Sequence, residues 1–242
     1  MSAERATDMG IEQTTKQISG ISSMATRQML ANLAGEYERL SGRRVLIESV
    51  GGVGALRRVQ KGESFDVVVL ASDAIDQLAA AGRVDPDSRV DLARSNVAVA
   101  VAAGAPRPDI GSEAAIRDVV LGARSIGYST GPSGMQLTRL FERWGLASAI
   151  ASRLVQAPPG VPVGELVALG NVEIAFQQLS ELMELPGIDV IGCLPPEMDF
   201  ATVFSAATCT ASVQPQVAKA LQSFLASPSA DAVKRRYGME PV

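Results

Sequence analysis

Tyr128-Ser129-Thr130-Gly131-Pro132-Ser133-Gly134 joins an apolar run to a helix-like run. Small hydroxyl residues and glycines at such a junction leave backbone N–H groups bare at a helix start. A chain can hold an anion there without a cation. The same chemistry recurs at Ser22-Ser23, where the apolar segment 18–21 gives way to 24–40. It recurs again at Ser49-Val50-Gly51-Gly52, between 45–47 and 55–60. Three junctions of one kind, far apart along the chain, predict one anion pocket assembled from distant parts.

Outward from these junctions, short β-branched runs alternate with alanine-rich amphipathic runs. Strands are predicted at 18–21, 45–47, 66–70, 97–101, 125–128, 154–156, 172–176 and 189–191. Helices are predicted at 24–40, 55–61, 74–81, 113–121, 134–144, 163–169 and 178–183, with a helical tail at 213–225 and 229–237. This alternation predicts an α/β protein with mainly parallel sheets. Segments 91–103 and 202–210 read as strands crossing between two lobes. The expected division is 15–94 plus 203–242 for lobe 1 and 95–202 for lobe 2, with 1–14 disordered. Pro158-Pro159-Gly160 reads as a local turn.

Composition narrows the function. The chain of 242 residues is 47% hydrophobic and 20% charged, with a net charge of −4, as for an ordinary globular protein. Its longest basic block is Lys234-Arg235-Arg236, so nucleic-acid binding by bulk charge is not expected. Histidine is absent, which removes the commonest general base and transition-metal ligand. Cys193 and Cys209 lack metal-ligand spacing and read as free, buried thiols; neither metal nor cofactor is expected. No segment approaches a membrane span, and the polar stretch 1–16 does not resemble a secretory leader. The expectation is a cytoplasmic protein without membrane insertion.

Several residues could carry chemistry. Ser22 and Ser23 cap the first helix or hold a ligand. Gly51 and Gly52 let a ligand approach the backbone beside Ser49. Ser129, Thr130 and Ser133 offer three hydroxyls before a helix. Neither a phosphate loop nor a dinucleotide fingerprint is present. Gln177 and Gln178 end a predicted strand, where ligands of parallel sheets sit, and Ser72 with Asp73 occupies a similar place. Arg27, Arg57, Arg58 and Arg94 could neutralise a multiply charged ligand or be solvated surface charges. With no histidine, Asp73, Tyr128 and Glu181 are the candidate bases by position.

With these residues in hand, the chain resembles the molybdate-binding-protein-like branch of the type II periplasmic binding proteins. The resemblance covers nearly everything from 18 to 242. It is carried by the opening strand-Ser-Ser-helix, Gly62-Glu63-Ser64-Phe65-Asp66-Val67-Val68 before Ser72-Asp73, and the Ser129–Gly134 loop. Further carriers are Phe176-Gln177-Gln178-x-Ser180-Glu181-Leu182, Gly192-x-Leu194-Pro195-Pro196-Glu197 and Gly238-Met239-Glu240-Pro241. The resemblance implies two α/β lobes closing on an oxyanion, with Ser22, Ser23, Ser49, Gly51, Gly52, Ser129, Thr130 and Ser133 facing the cleft.

The same branch is similar to aconitate isomerases, which move a double bond within an unsaturated tricarboxylate. That resemblance implies an isomerase working by an allylic 1,3-proton shift on a small polycarboxylate. The alternative is a solute-binding protein for molybdate, another oxyanion or an organic acid, partnered by an ABC permease if exported. A sensor is a third reading, without the DNA-binding helix pair it would need.

Overall fold

The computed structural model describes residues 17–198 and 200–242; the expectation for 1–14 lies outside the described residues. The chain opens with β1 (Gln17–Ser23), a 3₁₀ turn (Met24–Thr26) and α1 (Arg27–Ser41). Then come β2 (Arg44–Val50), α2 (Gly52–Gln60), β3 (Val67–Ala71), α3 (Ser72–Ala80) and the long β4 (Val90–Ala102). A second series runs α4 (Glu113–Gly122), β5 (Ile126–Tyr128), α5 (Pro132–Arg143), α6 (Ala147–Ile150), β6 (Leu154–Gln156) and α7 (Val163–Ala168). It continues through β7 (Ile174–Gln178), α8 (Leu179–Leu182) and β8 (Ile188–Cys193). The chain returns along β9 (Ala201–Thr208) and ends with α9 (Pro215–Leu225), α10 (Asp231–Arg236) and β10 (Met239–Pro241).

The strands lie in the order β2-β1-β3-β9-β4-β7-β5-β6, with β8 and β10 paired to β4. Pairing is parallel within β2-β1-β3 and within β7-β5-β6. It is antiparallel wherever β4 or β9 takes part, because these strands run between the two parallel groups. The sheet is therefore mixed. β4 changes partners along its length: Val90–Asn96 bonds to β9, and Val97–Val101 bonds to β7.

Burial follows the position of each strand. β3 (Val-Val-Val-Leu-Ala) is buried at every residue, as a central strand covered on both faces must be. The edge strand β2 alternates between exposed and partly buried residues. Two apolar clusters draw on residues 18–93 and 204–239, and two others on 97–200.

Boundaries differ where tertiary pairing competes with local preference. The helix predicted at 178–183 starts at Leu179, because Gln177 and Gln178 stay in β7 opposite Ala98 and Val97. The helix predicted from 213 starts at Pro215, a residue suited to a first turn.

Candidate functional site

The carboxyl ends of β1, β2, β3, β5 and β7 all run into turns or helices at one cavity of about 110 Å³. At roughly 10–15 Å³ of such space per water, it takes a small molecule. Ser23 and Met24 enter it from the start of the 3₁₀ turn, Gly51 and Gly52 from the start of α2, and Asp73 from the start of α3. Ser129, Thr130 and Ser133 enter from the start of α5, and Gln177, Gln178 and Glu181 from the β7–α8 junction.

These helix starts present unbonded donors. In α2 the first carbonyl bonded is Gly51, accepting from the Ala55 N–H at 3.0 Å. In α5 it is Gly131, accepting from the Met135 N–H at 3.2 Å. Donors before those positions have no intrahelical acceptor. The loop ahead of α5 is pinned: the Ser129 hydroxyl accepts the Gly131 N–H at 3.2 Å and pairs with the Ser133 hydroxyl at 3.0 Å. Gly134 is required there, since a Cβ on it would fall 1.8 Å from the Ser129 carbonyl oxygen.

Two buried polar atoms of cavity residues, Ser23 Oγ and Gln178 Oε1, lack a partner among the described residues. Such orphans are costly unless a ligand or water meets them. Gln178 is held by donating through Nε2 to the Thr202 hydroxyl at 2.8 Å. Gln177 accepts the Val163 N–H at 2.7 Å, and its amide lowers the pKa of the nearby Glu181 carboxyl. Burial pushes Glu181 up to about 7, against the opposing effect of that amide. A carboxyl poised near neutrality in a ligand cavity is suited to moving protons.

Of the remaining candidates, all but Asp73 lie elsewhere. Ser22 is fully buried behind Ser23, its hydroxyl 2.8 Å from that of Ser49, its register partner across β1 and β2. Ser49 and Arg27 line a separate recess between α1 and β2. Ser72 donates to the Val203 carbonyl at 3.0 Å and pairs with Ser205 at 2.9 Å. Arg94 is exposed on β4, in register with Val203 and Glu240. Arg58 is bound to Glu48 and Glu63. Among the described residues no Lys or Arg lines the cavity. Tyr128 packs with the cluster around Ile126 and Phe176, away from the cavity. Asp73 is exposed, and its Oδ1 accepts the Ala74 N–H at 2.9 Å.

Residues not singled out by sequence also contribute, notably Pro158, Gly160, Val161 and Pro162 after β6. Their position beyond the carboxyl end of a parallel strand was the available signal. Among the described residues no three His, Cys, Asp or Glu side chains cluster as a metal site requires, and no helix is long and apolar enough to cross a membrane. Cys193 and Cys209 are free, and burial raises both thiols, Cys209 to about 12.

Residues 18–240 match the family described as bacterial extracellular solute-binding protein. The chain belongs to that family. It is also 36% identical over 236 residues to an aconitate isomerase from a Pseudomonas species, covering 95% of this chain and 90% of that one. Among solved structures, the periplasmic molybdate-binding protein of Azotobacter vinelandii aligns with a TM-score of 0.77 at 20% identity. The alignment covers 92% of this chain and 98% of that one. A sulfate-binding protein from Mycobacterium tuberculosis aligns with a TM-score of 0.74 at 18% identity, covering 94% and 87%. The fold of this family member is thus that of the type II periplasmic binding proteins, with the cavity at its helix starts.

Proposed function

We propose that the protein binds a small unsaturated polycarboxylate in this cavity and isomerises it by an allylic 1,3-proton shift, with aconitate as the substrate suggested by its Pseudomonas relative. The observation that carries the reading is Glu181, a carboxyl held near neutral pKa inside an anion-suited cavity that also takes Gln177. As carboxylate, Glu181 removes a proton from the methylene next to the double bond. The C–H bond breaks, an O–H bond forms, and the electron pair spreads into a dienolate. The N–H groups at the starts of α2 and α5 stabilise the charge that moves onto the ligand's carboxylate oxygens. Glu181 then returns the proton to the far allylic carbon, and the double bond has moved. The step is redox-neutral and leaves Glu181 as it began. Of the three candidate bases, Tyr128 packs in the core, and Asp73 lines the cavity but is exposed, with its Oδ1 taken by the Ala74 N–H, whereas Glu181 is the one with a raised pKa.

Proton NMR of the protein with cis- and trans-aconitate in deuterated water tests this reading. Interconversion with deuterium entering the methylene is expected, and Glu181→Gln should lower the rate by roughly 10²–10⁴-fold. Unchanged spectra with the wild-type protein would refute it.

A second reading, a receptor that delivers an oxyanion or organic acid to an ABC permease, is favoured by the cation-free, hydroxyl-rich rim of Ser23, Ser129, Thr130 and Ser133. It predicts calorimetric binding of molybdate or a carboxylate without turnover.

A further inference from the structure

The inner cavity offers an anion helix starts and neutral hydroxyls and amides, and helix starts act over about one turn. They do nothing to draw an anion in. The chain is net negative, and Asp73 and Glu181 both face that space.

A second recess, of about 370 Å³, opens beside the first. The two share Ala71, Asp73, Pro132 and Met135 in their walls, so they adjoin at those residues. One wall of the outer recess is the face of α5 bearing Met135, Gln136 and Arg139. Three- and four-residue spacing stacks these side chains along one side of the helix. The opposite wall is the start of β9, from Ala201 to Val203. Gly51 and Gly160 approach each other at the inner cavity: a Cβ on Gly51 would be in ordinary contact with the Gly160 nitrogen, at 3.7 Å.

Arg139 is the sole Lys or Arg among the described residues lining either space. It is exposed, and among the described residues it forms no ion pair. Arg143, one turn further along α5, differs: its guanidinium lies 3.7 Å from Glu113. Arg139 stands six residues beyond Ser133, about 9 Å of helix rise from the cavity.

We propose that the outer recess is the vestibule by which an anionic ligand reaches the inner cavity, and that Arg139 captures its carboxylate or oxyanion there. An unpaired guanidinium presents five donors in a fixed fork and acts through solvent over about 10 Å at ordinary salt. The anion then passes between Asp73 and Met135 to the start of α5. Arg139 is a positioning residue that governs association and takes no part in proton transfer. The inference rests on the proposed function only in requiring a small anionic ligand.

Association and dissociation of trans-aconitate and of molybdate, followed by stopped-flow mixing from low to physiological salt, test the assignment. Arg139→Gln should slow association roughly three- to tenfold at low salt and flatten its salt dependence. Dissociation and, where there is turnover, kcat should stay as in the wild type. Arg139→Lys should recover most of the rate, and Arg143→Gln should behave as the wild type. Wild-type association and salt slope in Arg139→Gln would overturn the vestibule. If the wild type binds one of these anions with an Arg139-dependent rate but does not isomerise aconitate, the isomerase reading fails and the vestibule stands. Binding of neither anion overturns the vestibule as well.

Discussion

Gln177 lowers the pKa of Glu181 from a fixed position: its Oε1 accepts the Val163 N–H at 2.7 Å, which leaves its Nε2 hydrogens for the Glu181 carboxyl. The two residues are four apart across the end of β7 and the start of α8. The strand end orients the amide, and the amide orients the acid. Flipping this amide would set its Nε2 donors against the Val163 N–H.

Replacing Gln177 by Ala therefore has two separable effects. The donation to Glu181 lowers its pKa, so without it Glu181 moves above about 7. The acid limb of the pH–rate profile should shift upward in Q177A, with activity at pH 7 falling accordingly. The stranded Val163 N–H should also cost about 1–3 kcal/mol of stability, measured by denaturant unfolding. An unshifted profile would break the proposed link between the two side chains.

Glu181 also couples stability to pH. Its pKa is raised on folding from 4.5 to about 7, so between those values the folded state binds more protons than the unfolded one. Stability is full below pH 4.5 and is lost as pH rises through about 7, by at most about 3 kcal/mol. In the ligand-free protein, Glu181→Gln should remove this decline, seen as a smaller difference in Tm between pH 5 and pH 8 than in the wild type.

The same proton should control anion affinity. A neutral Glu181 tolerates a neighbouring carboxylate, whereas an ionised one repels it. Affinity for trans-aconitate, measured by calorimetry, should fall as pH rises through about 7 in the wild type. It should stay flat in E181Q.

Ser23 separates ligand binding from folding. Its buried hydroxyl has no hydrogen-bond partner among the described residues, so Ser23→Ala should leave unfolding free energy unchanged or slightly higher. Loss of one hydrogen bond to a charged ligand should weaken binding by about 1.5–3 kcal/mol, roughly ten- to a hundredfold in Kd. A large loss of stability in S23A would show that the hydroxyl serves the fold.

Two glycines should respond in opposite ways to alanine. A Cβ on Gly134 would meet the Ser129 carbonyl at 1.8 Å, whereas one on Gly35 in α1 meets nothing within 4 Å. Gly134→Ala should destabilise by about 1–3 kcal/mol or more and weaken anion binding by moving the loop. Gly35→Ala should stabilise by up to about 1 kcal/mol. Thermal unfolding of the two variants side by side checks both signs.

Much of the site was legible in the residues because helix-start chemistry is local. Hydroxyls and glycines at 22–23, 51–52 and 129–134 declare free N–H groups wherever the elements go, and the α/β alternation follows from equally local periodicity. Which side chains face the cavity is another matter. Tyr128 is adjacent to Ser129, yet it packs with Ile126 and Phe176 because strand side chains alternate between faces. Arg27 and Ser49 fall in the separate recess between α1 and β2. Ser22 and Ser49 satisfy each other because β1 and β2 pair in that register. The Pro158–Pro162 loop and Arg139 gain meaning only from what packs opposite them. The titration of Glu181 depends most on assembly: desolvation is created by segments brought together from across the chain, and no local pattern encodes it.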